Sequence, residues 1–540
     1  MNKSNVKKQS KWERFKNLFS FEDGQLRFNR LLIVLLFVYI ISAFLLFGYY
    51  QYILTSDSVS YITIANEYAL QSPYAINGYW SPLYSWLLAI FVIFGKTPLY
   101  MLHVAKILSI IIGFITLIGL NLLFSKFISD DKHRLICLII MVPNILLLAL
   151  YWVTPDLLLI CILLFYFNII FDPKYSTRLL NGVSCGLLGS LAYFSKTYAF
   201  FFFICHFIIF NFYFYLKTND KIDRKKIKMN CFIGLVIFLA VSGVWIGIIS
   251  DKYNEITLGT SGTYNQAVMG PGPGHPPFYQ GLIAPPNPMA KSSWEDPSYY
   301  KITEWNPLGS TQDFIFQLNI IVKNIVKTLE ILTGFSVLSL LILLGTLIFI
   351  WKNRGDKEAK NKMIYLTVTV FLFIAGYLLI YIDSRYLGII LILILIMGMC
   401  LFEALYRNKL IQKRVLNLLI IVLIVSFTAI PVQSLYENVN VNKISMEEGT
   451  ALKTEFNVHG NIASNNEWIY SIVLSYFIES KYYGMIKPNE NLTEIENELK
   501  TNNIDYYLVW GSNDTVLPYT EITNGKFYKL KVYKLKNVTN

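Results

Sequence analysis

The sequence predicts a polytopic α-helical membrane protein of about eleven transmembrane helices, with a small exterior α/β domain at its C-terminal end. Three observations predict it. Hydrophobic residues make up 54% of the 540 residues and charged residues only 15%, too apolar a balance for one soluble globule. Apolar runs near the length needed to cross about 30 Å of hydrocarbon recur along most of the chain. Past residue 432 the pattern changes to short apolar strands alternating with amphipathic helical stretches.

The apolar runs lie near 31–50, 99–124, 135–151, 156–171, 181–196, 198–216, 231–250, 326–351, 363–382, 386–405 and 415–431. Lysine and arginine orient them. Lys3, Lys7, Lys8, Lys11, Arg14, Lys16, Arg27 and Arg30 crowd the N-terminal tail. Every second connection after it is basic: Lys126 to Arg134, Lys174 and Arg178, Lys217 to Lys228, Lys352 to Lys362, and Arg407 to Arg414. The N-terminus is therefore expected in the cytoplasm. An odd number of spans places the C-terminal domain outside, in a multi-pass protein of the plasma membrane. The net charge of +12 is accounted for by these loops, so nucleic acid is not an expected partner. The organisation reads as a basic tail over 1–30, a transmembrane unit over 31–432 with exterior loops 51–98 and 251–323, and an exterior domain over 433–540.

The first apolar run lacks a small-residue cleavage pattern at its end and reads as a retained anchor. Cys137, Cys161, Cys185, Cys205, Cys231 and Cys400 lie in or beside apolar spans, which supports neither a disulfide framework nor a zinc motif.

In the first exterior loop, Ser56 or Asp57 is placed to cap a helix with Val59, Ile62, Ala65, Tyr68 and Ala69 on one face. A second short apolar helix is expected over Leu83 to Phe94. The second loop holds Gly270-Pro271-Gly272-Pro273-Gly274-His275-Pro276-Pro277, a density of breakers that excludes long helices there. Its aromatic residues, Tyr264 and Trp294 among them, call for burial, so an ordered loop is expected. In the tail, Ile462-Ala463-Ser464 reads as a strand and Trp468 to Ile478 as a helix. Leu492, Ile495 and Leu499 mark a second helix and Ile504 to Trp510 another strand. Tyr519 to Leu535 reads as a hairpin about Asn524-Gly525.

Few ionisable residues stand at the exterior ends of the spans, and each is a candidate for function. Asp57 is a helix cap, a catalytic base, or both. Asp156, after Thr154-Pro155, has the same two readings. Lys196 and Arg385 breach the sparse-positive pattern of the exterior face. Each reads as a headgroup contact, or for Arg385 a local pair with Asp383, or as part of a phosphate-binding site. A divalent cation held by the two aspartates with Glu295 or His275 stays open, although no ligand spacing marks one. His275 reads first as a solvated loop histidine and second as a catalytic one.

Asp57-Ser58-Val59-Ser60-Tyr61, followed by Asn77-Gly78-Tyr79-Trp80-Ser81-Pro82-Leu83-Tyr84, resembles the first exterior loop of bacterial polytopic glycosyltransferases of the GT-C class. Relatives include the protein O-mannosyltransferases and the lipid A aminoarabinose transferases. Thr154-Pro155-Asp156, the Gly186 to Lys196 stretch ending in Ser-Lys-Thr, and Ser384-Arg385-Tyr386-Leu387 resemble further positions of that class, and the likeness spans essentially the whole chain. It implies a GT-C-like fold, with Asp57 as catalytic base and a sugar on a polyprenyl phosphate as donor. It leaves open a glycan, lipid or protein acceptor. Read from the residues themselves, Asp156 would share the base role, Lys196 and Arg385 would hold the donor phosphate, and Tyr61, Trp80, Tyr264, His275 and Tyr386 would line the substrate loops. In the class a second acidic residue often follows the first. Ser58 stands there instead, which counts against a metal site built from that pair. A polytopic lipid or solute transporter or flippase is the rival reading. Transporters tend to show repeat symmetry and matched broken helices, and no convincing repeat is visible here.

Overall fold

In the computed structural model, residues 25–271, 281–300, 304–352, 355–511 and 517–535 are described. The helices, in order, are α1 Gln25–Tyr50, α2 Ser56–Ala69, α3 Pro82–Ala89, α4 Pro98–Phe127, α5 Asp131–Tyr151, α6 Asp156–Ile170, α7 Leu180–Ser195, α8 Ala199–Lys217 and α9 Lys221–Tyr253. After them come α10 Ser261–Val268, α11 Thr311–Phe335, α12 Ser339–Lys352, α13 Lys357–Leu378, α14 Gly388–Arg407, α15 Lys413–Glu437, α16 Lys443–Thr454, α17 Trp468–Ile478 and α18 Leu492–Thr501.

Among the described residues eight helices are long and apolar enough to cross a membrane, or nine with one bent pair counted as a span. Each of the eleven apolar runs is helical, but three are not simple spans. The runs near 156 and 181 form helices of 15 and 16 residues, short for a crossing. The run over 326–351 is two helices, α11 and α12, meeting at 105°. Ser336 breaks it. Its backbone is extended (φ −164°, ψ 131°), its hydroxyl accepts the Leu338 N–H at 3.2 Å, and it meets Ser426 Oγ at 2.5 Å. Those bonds replace the helical ones the run would otherwise continue. Helix α11 also starts inside the expected second loop.

Burial orders the bundle. Every residue from Gly388 to Ala404 on α14 is buried, the mark of a helix enclosed on all sides. The apolar segments of α1 and α15 are only 22% and 28% buried, so these helices present apolar surface outward, where lipid would be. Helices α7 and α9 cross closely because glycines face each other: a Cβ on Gly186 would stand 2.4 Å from the Gly234 carbonyl oxygen. That contact anchors α7, whose end carries Lys196.

The C-terminal region forms a five-stranded sheet in the order β2-β1-β3-β5-β4. Its strands are β1 Asn461–Ser464, β2 Lys481–Met485, β3 Tyr506–Trp510, β4 Thr520–Glu521 and β5 Leu530–Lys534. The pairs β1–β2 and β1–β3 are parallel; β3–β5 and β4–β5 are antiparallel. Strand β2 and helix α16 are absent from the sequence reading. Helix α17 seats this unit on the bundle: the Tyr476 hydroxyl donates to Pro98 O at 2.7 Å, at the start of α4.

Candidate functional site

Asp57 lies in the first turn of α2. The cap is Thr55, whose hydroxyl accepts the Ser58 N–H at 3.2 Å in a capping box. The cap readings of Ser56 and Asp57 are thereby corrected, and the Asp57 carboxylate is free to turn elsewhere. It is 8% exposed and has two partners. Oδ2 pairs with Arg385 Nη1 at 2.7 Å, and Oδ1 accepts the Trp294 indole N–H at 3.0 Å.

Asp156 begins α6 and makes no cap hydrogen bond there. Its Oδ2 accepts the Thr154 hydroxyl at 2.6 Å, and its Oδ1 pairs with the Lys196 ammonium. It is 4% exposed. Lys196 is released from α7 at the helix end, with an extended backbone, and its Nζ stands 3.9 Å over the Tyr386 ring. The neighbouring Thr197 N–H donates to Ser81 Oγ at 3.0 Å, tying this turn to the first loop.

Arg385 stands in a 3₁₀ turn, Ser384–Leu387, that enters the enclosed helix α14. Asp383 caps the turn by accepting the Arg385 N–H at 3.1 Å, so the expected local pair is a backbone contact and the guanidinium is spent on Asp57. The same guanidinium lies 5.2 Å from the Tyr386 ring and 5.5 Å from the Trp152 ring. Four separated segments thus bring two carboxylates and two cations into one buried cluster of zero net charge. Removing one partner of such a pair typically costs about 3–5 kcal/mol, because the other charge is left uncompensated.

Aromatic rings wall the cluster. Tyr61 meets Trp80 edge to face at 5.1 Å, and Tyr386 stacks on Tyr377 at 5.1 Å. Trp80 donates its indole N–H to the Trp294 carbonyl at 3.0 Å. Tyr264 is one shell further out, touching Tyr79 at 5.3 Å and Trp294 at 6.4 Å. Trp294 also meets Trp468 of α17 at 5.8 Å, so the C-terminal unit reaches Asp57 through one indole. His275 lies outside the described residues.

Asn77 fixes the loop over this wall. Its Oδ1 accepts the Tyr79 and Trp80 N–H groups at 2.9 Å each, and its Nδ2 donates to Glu295 O at 2.6 Å. Gly78 beside it admits no side chain, since a Cβ would stand 2.8 Å from the Tyr253 ring.

Glu295 is not a partner of the aspartates. Its Oε1 accepts the Lys291 N–H at 2.7 Å, and its acidic neighbour is Glu67. Burial raises the Glu295 carboxyl well above the ordinary range and pushes Glu67 up to about 7. Among the described residues no three His, Cys, Asp or Glu side chains converge. The oxygens of Asp57 and Asp156 are already taken by N–H, hydroxyl and ammonium donors. Among the described residues, the donor set around Asp57 and Asp156 does not fit a divalent cation.

Trp294 is the contact that the sequence reading did not single out. An aromatic residue in a breaker-rich loop signals burial but not what it touches. Thr154 and Asn77 were inside quoted motifs without a role.

No protein-family model matches the sequence, and a search of curated proteins returns no match. Solved structures do match in fold. ArnT from Cupriavidus metallidurans, bound to undecaprenyl phosphate, aligns with a TM-score of 0.52 at 9% identity, covering 92% of this chain and 97% of ArnT. The archaeal oligosaccharyltransferase AglB from Archaeoglobus fulgidus, in complex with an inhibitory peptide and a dolichol-phosphate, aligns with a TM-score of 0.50 at 10% identity, covering 88% and 69%.

Proposed function

We propose that this chain, which has the fold of the GT-C membrane glycosyltransferases, moves a sugar from a polyprenyl-phosphate donor to an acceptor hydroxyl at the exterior face of the membrane, with inversion. The observation that carries this reading is the convergence of Asp57, Asp156, Lys196 and Arg385 in one aromatic-walled cluster at the sheet-bearing end of the bundle.

The donor's lipid tail lies in the bilayer and its phosphate enters the cluster. There it competes with the carboxylates for Lys196 and Arg385. An arginine fork takes phosphate oxygens as well as it takes a carboxylate. Once the phosphate holds Arg385, Asp57 has lost its cation and is a better proton acceptor. Donor binding therefore arms the base. The acceptor oxygen attacks the anomeric carbon, its proton passes to Asp57, and the bond from that carbon to the phosphate oxygen breaks on the opposite side. Polyprenyl phosphate leaves with its new charge held by Lys196 and Arg385. General-base catalysis contributes roughly 10²–10⁴-fold, and each preorganised donor to the leaving oxyanion roughly 10²–10³-fold. The ring of Tyr61, Trp80 and Trp294 excludes water that would otherwise hydrolyse the donor.

The test is incubation of the purified protein in vesicles with radiolabelled polyprenyl-phosphate sugars. Acceptor-dependent release of free polyprenyl phosphate is expected. Movement of intact donor between leaflets without bond cleavage would instead establish a flippase.

A further inference from the structure

We propose a second phosphate site, at the end of the bundle opposite Asp57, that holds the headgroup of an anionic phospholipid. Helix α4 shows the separation. It is a 30-residue helix that starts at Pro98 against the C-terminal unit and ends at Phe127, about 45 Å long at 1.5 Å per residue. Around that far end a cavity of about 390 Å³ opens between the ends of α4, α6, α8 and α13. Its volume falls in the range of ligand pockets, about 300–1,000 Å³. None of the motifs described above contributes to it.

Charge names the ligand. Five charged side chains line the cavity: Lys126, Lys217, Lys362, Asp172 and Glu358. Two cations are already matched, Lys126 by Asp172 and Lys362 by Glu358 at 2.9 Å. Lys217 has no carboxylate within ion-pair distance among the described residues; its close partner is the Tyr213 ring at 5.5 Å. One cation is therefore in excess, and a phosphodiester carries one negative charge. A zwitterionic headgroup would leave that excess uncompensated. Lys362 also reaches Phe127 O at 3.5 Å, a long contact that a phosphate oxygen can replace.

Shape and position name the source. Phe171 and Tyr365 stack at 5.7 Å with their planes 10° apart, an apolar floor suited to the glycerol and first acyl carbons. Ser176, Thr218 and Asn361 line the same cavity and supply neutral partners for headgroup hydroxyls. Basic pockets between helix ends at the headgroup layer take anionic headgroups.

Native mass spectrometry of the whole protein, released from nanodiscs holding equal phosphatidylglycerol and phosphatidylethanolamine, tests this. Retained phosphatidylglycerol is expected to exceed phosphatidylethanolamine several-fold. Lys217→Ala should cut the phosphatidylglycerol adduct about five-fold and Lys217→Arg should restore it. Lys217 is exposed, so neither change threatens the fold. Equal retention of the two lipids, or an unchanged adduct in Lys217→Ala, would overturn the site. Preferential retention of inorganic phosphate over phosphatidylglycerol at equal concentration would overturn the lipid source in favour of a soluble phosphate. None of these readouts depends on sugar transfer, so the proposal and the function above fail separately.

Discussion

Replacing Asp57 by Asn separates catalysis from donor binding and should move them in opposite directions. Asparagine keeps the shape and can still accept the Trp294 indole N–H, but it presents no charge to Arg385. Loss of the base is expected to lower turnover about 10²–10⁴-fold. Donor binding should improve. In the resting protein the incoming phosphate must displace the Asp57 carboxylate, 2.7 Å from the guanidinium. Close charge pairs couple by about 1.5–7 kcal/mol in double-mutant cycles. The low end applies, because the two side chains keep some water contact, 18% and 12% exposed. About 1.5 kcal/mol removed from the competing contact makes polyprenyl phosphate bind roughly ten-fold tighter. Binding of polyprenyl phosphate to protein in nanodiscs, beside turnover of labelled donor, reads both numbers. A variant that turns over within ten-fold of the parent refutes the base. One that is inactive and binds the lipid phosphate more weakly refutes the competition between carboxylate and phosphate.

Arg385→Ala should weaken donor binding about 30-fold or more, measured in the same binding assay, since one partner of a buried charge contact is truncated. Trp294→Phe keeps the packing on Trp80 and Trp468 but removes the N–H that holds Asp57 Oδ1 at 3.0 Å. A loss of about 1.5–3 kcal/mol in positioning is expected to lower kcat at least ten-fold with donor affinity unchanged. Burial pushes the Glu67 carboxyl up to about 7. Its contribution to stability is present below the ordinary value of 4.5 and lost as pH rises through about 7. Thermal unfolding should therefore show the parent losing Tm between pH 5 and 8, with a smaller loss in Glu67→Gln.

Much of the bundle was legible because membrane helices announce themselves by composition: each long apolar run is helical, since lipid leaves its backbone no other way to satisfy its hydrogen bonds. The bend at Ser336 was hidden, because one serine within an apolar run looks like any tolerated polar residue until its hydroxyl is seen to accept the Leu338 N–H. Strand β2 was hidden for a different reason. Lys481-Tyr482-Tyr483-Gly484-Met485 carries a glycine and is separated from a helix by two residues, and pairing with β1 on one edge and the 283–292 loop on the other makes it a strand. At the site, the four charged residues stood out one by one because charge at helix ends is sparse in such a chain. Their pairing did not. Asp383 is two residues from Arg385 and Asp57 is hundreds away in sequence, and local proximity favoured the wrong partner. Trp294 shows the same limit: the loop's aromatic content demanded burial, but no spacing ties residue 294 to residue 57.

The most direct measurement is a structure of the protein with polyprenyl phosphate bound. The phosphate is expected between Lys196 and Arg385, with Asp57 and Asp156 parted from them and Asp57 facing the vacant acceptor side. A phosphate bound elsewhere, with both carboxylate–cation pairs intact, would contradict the account.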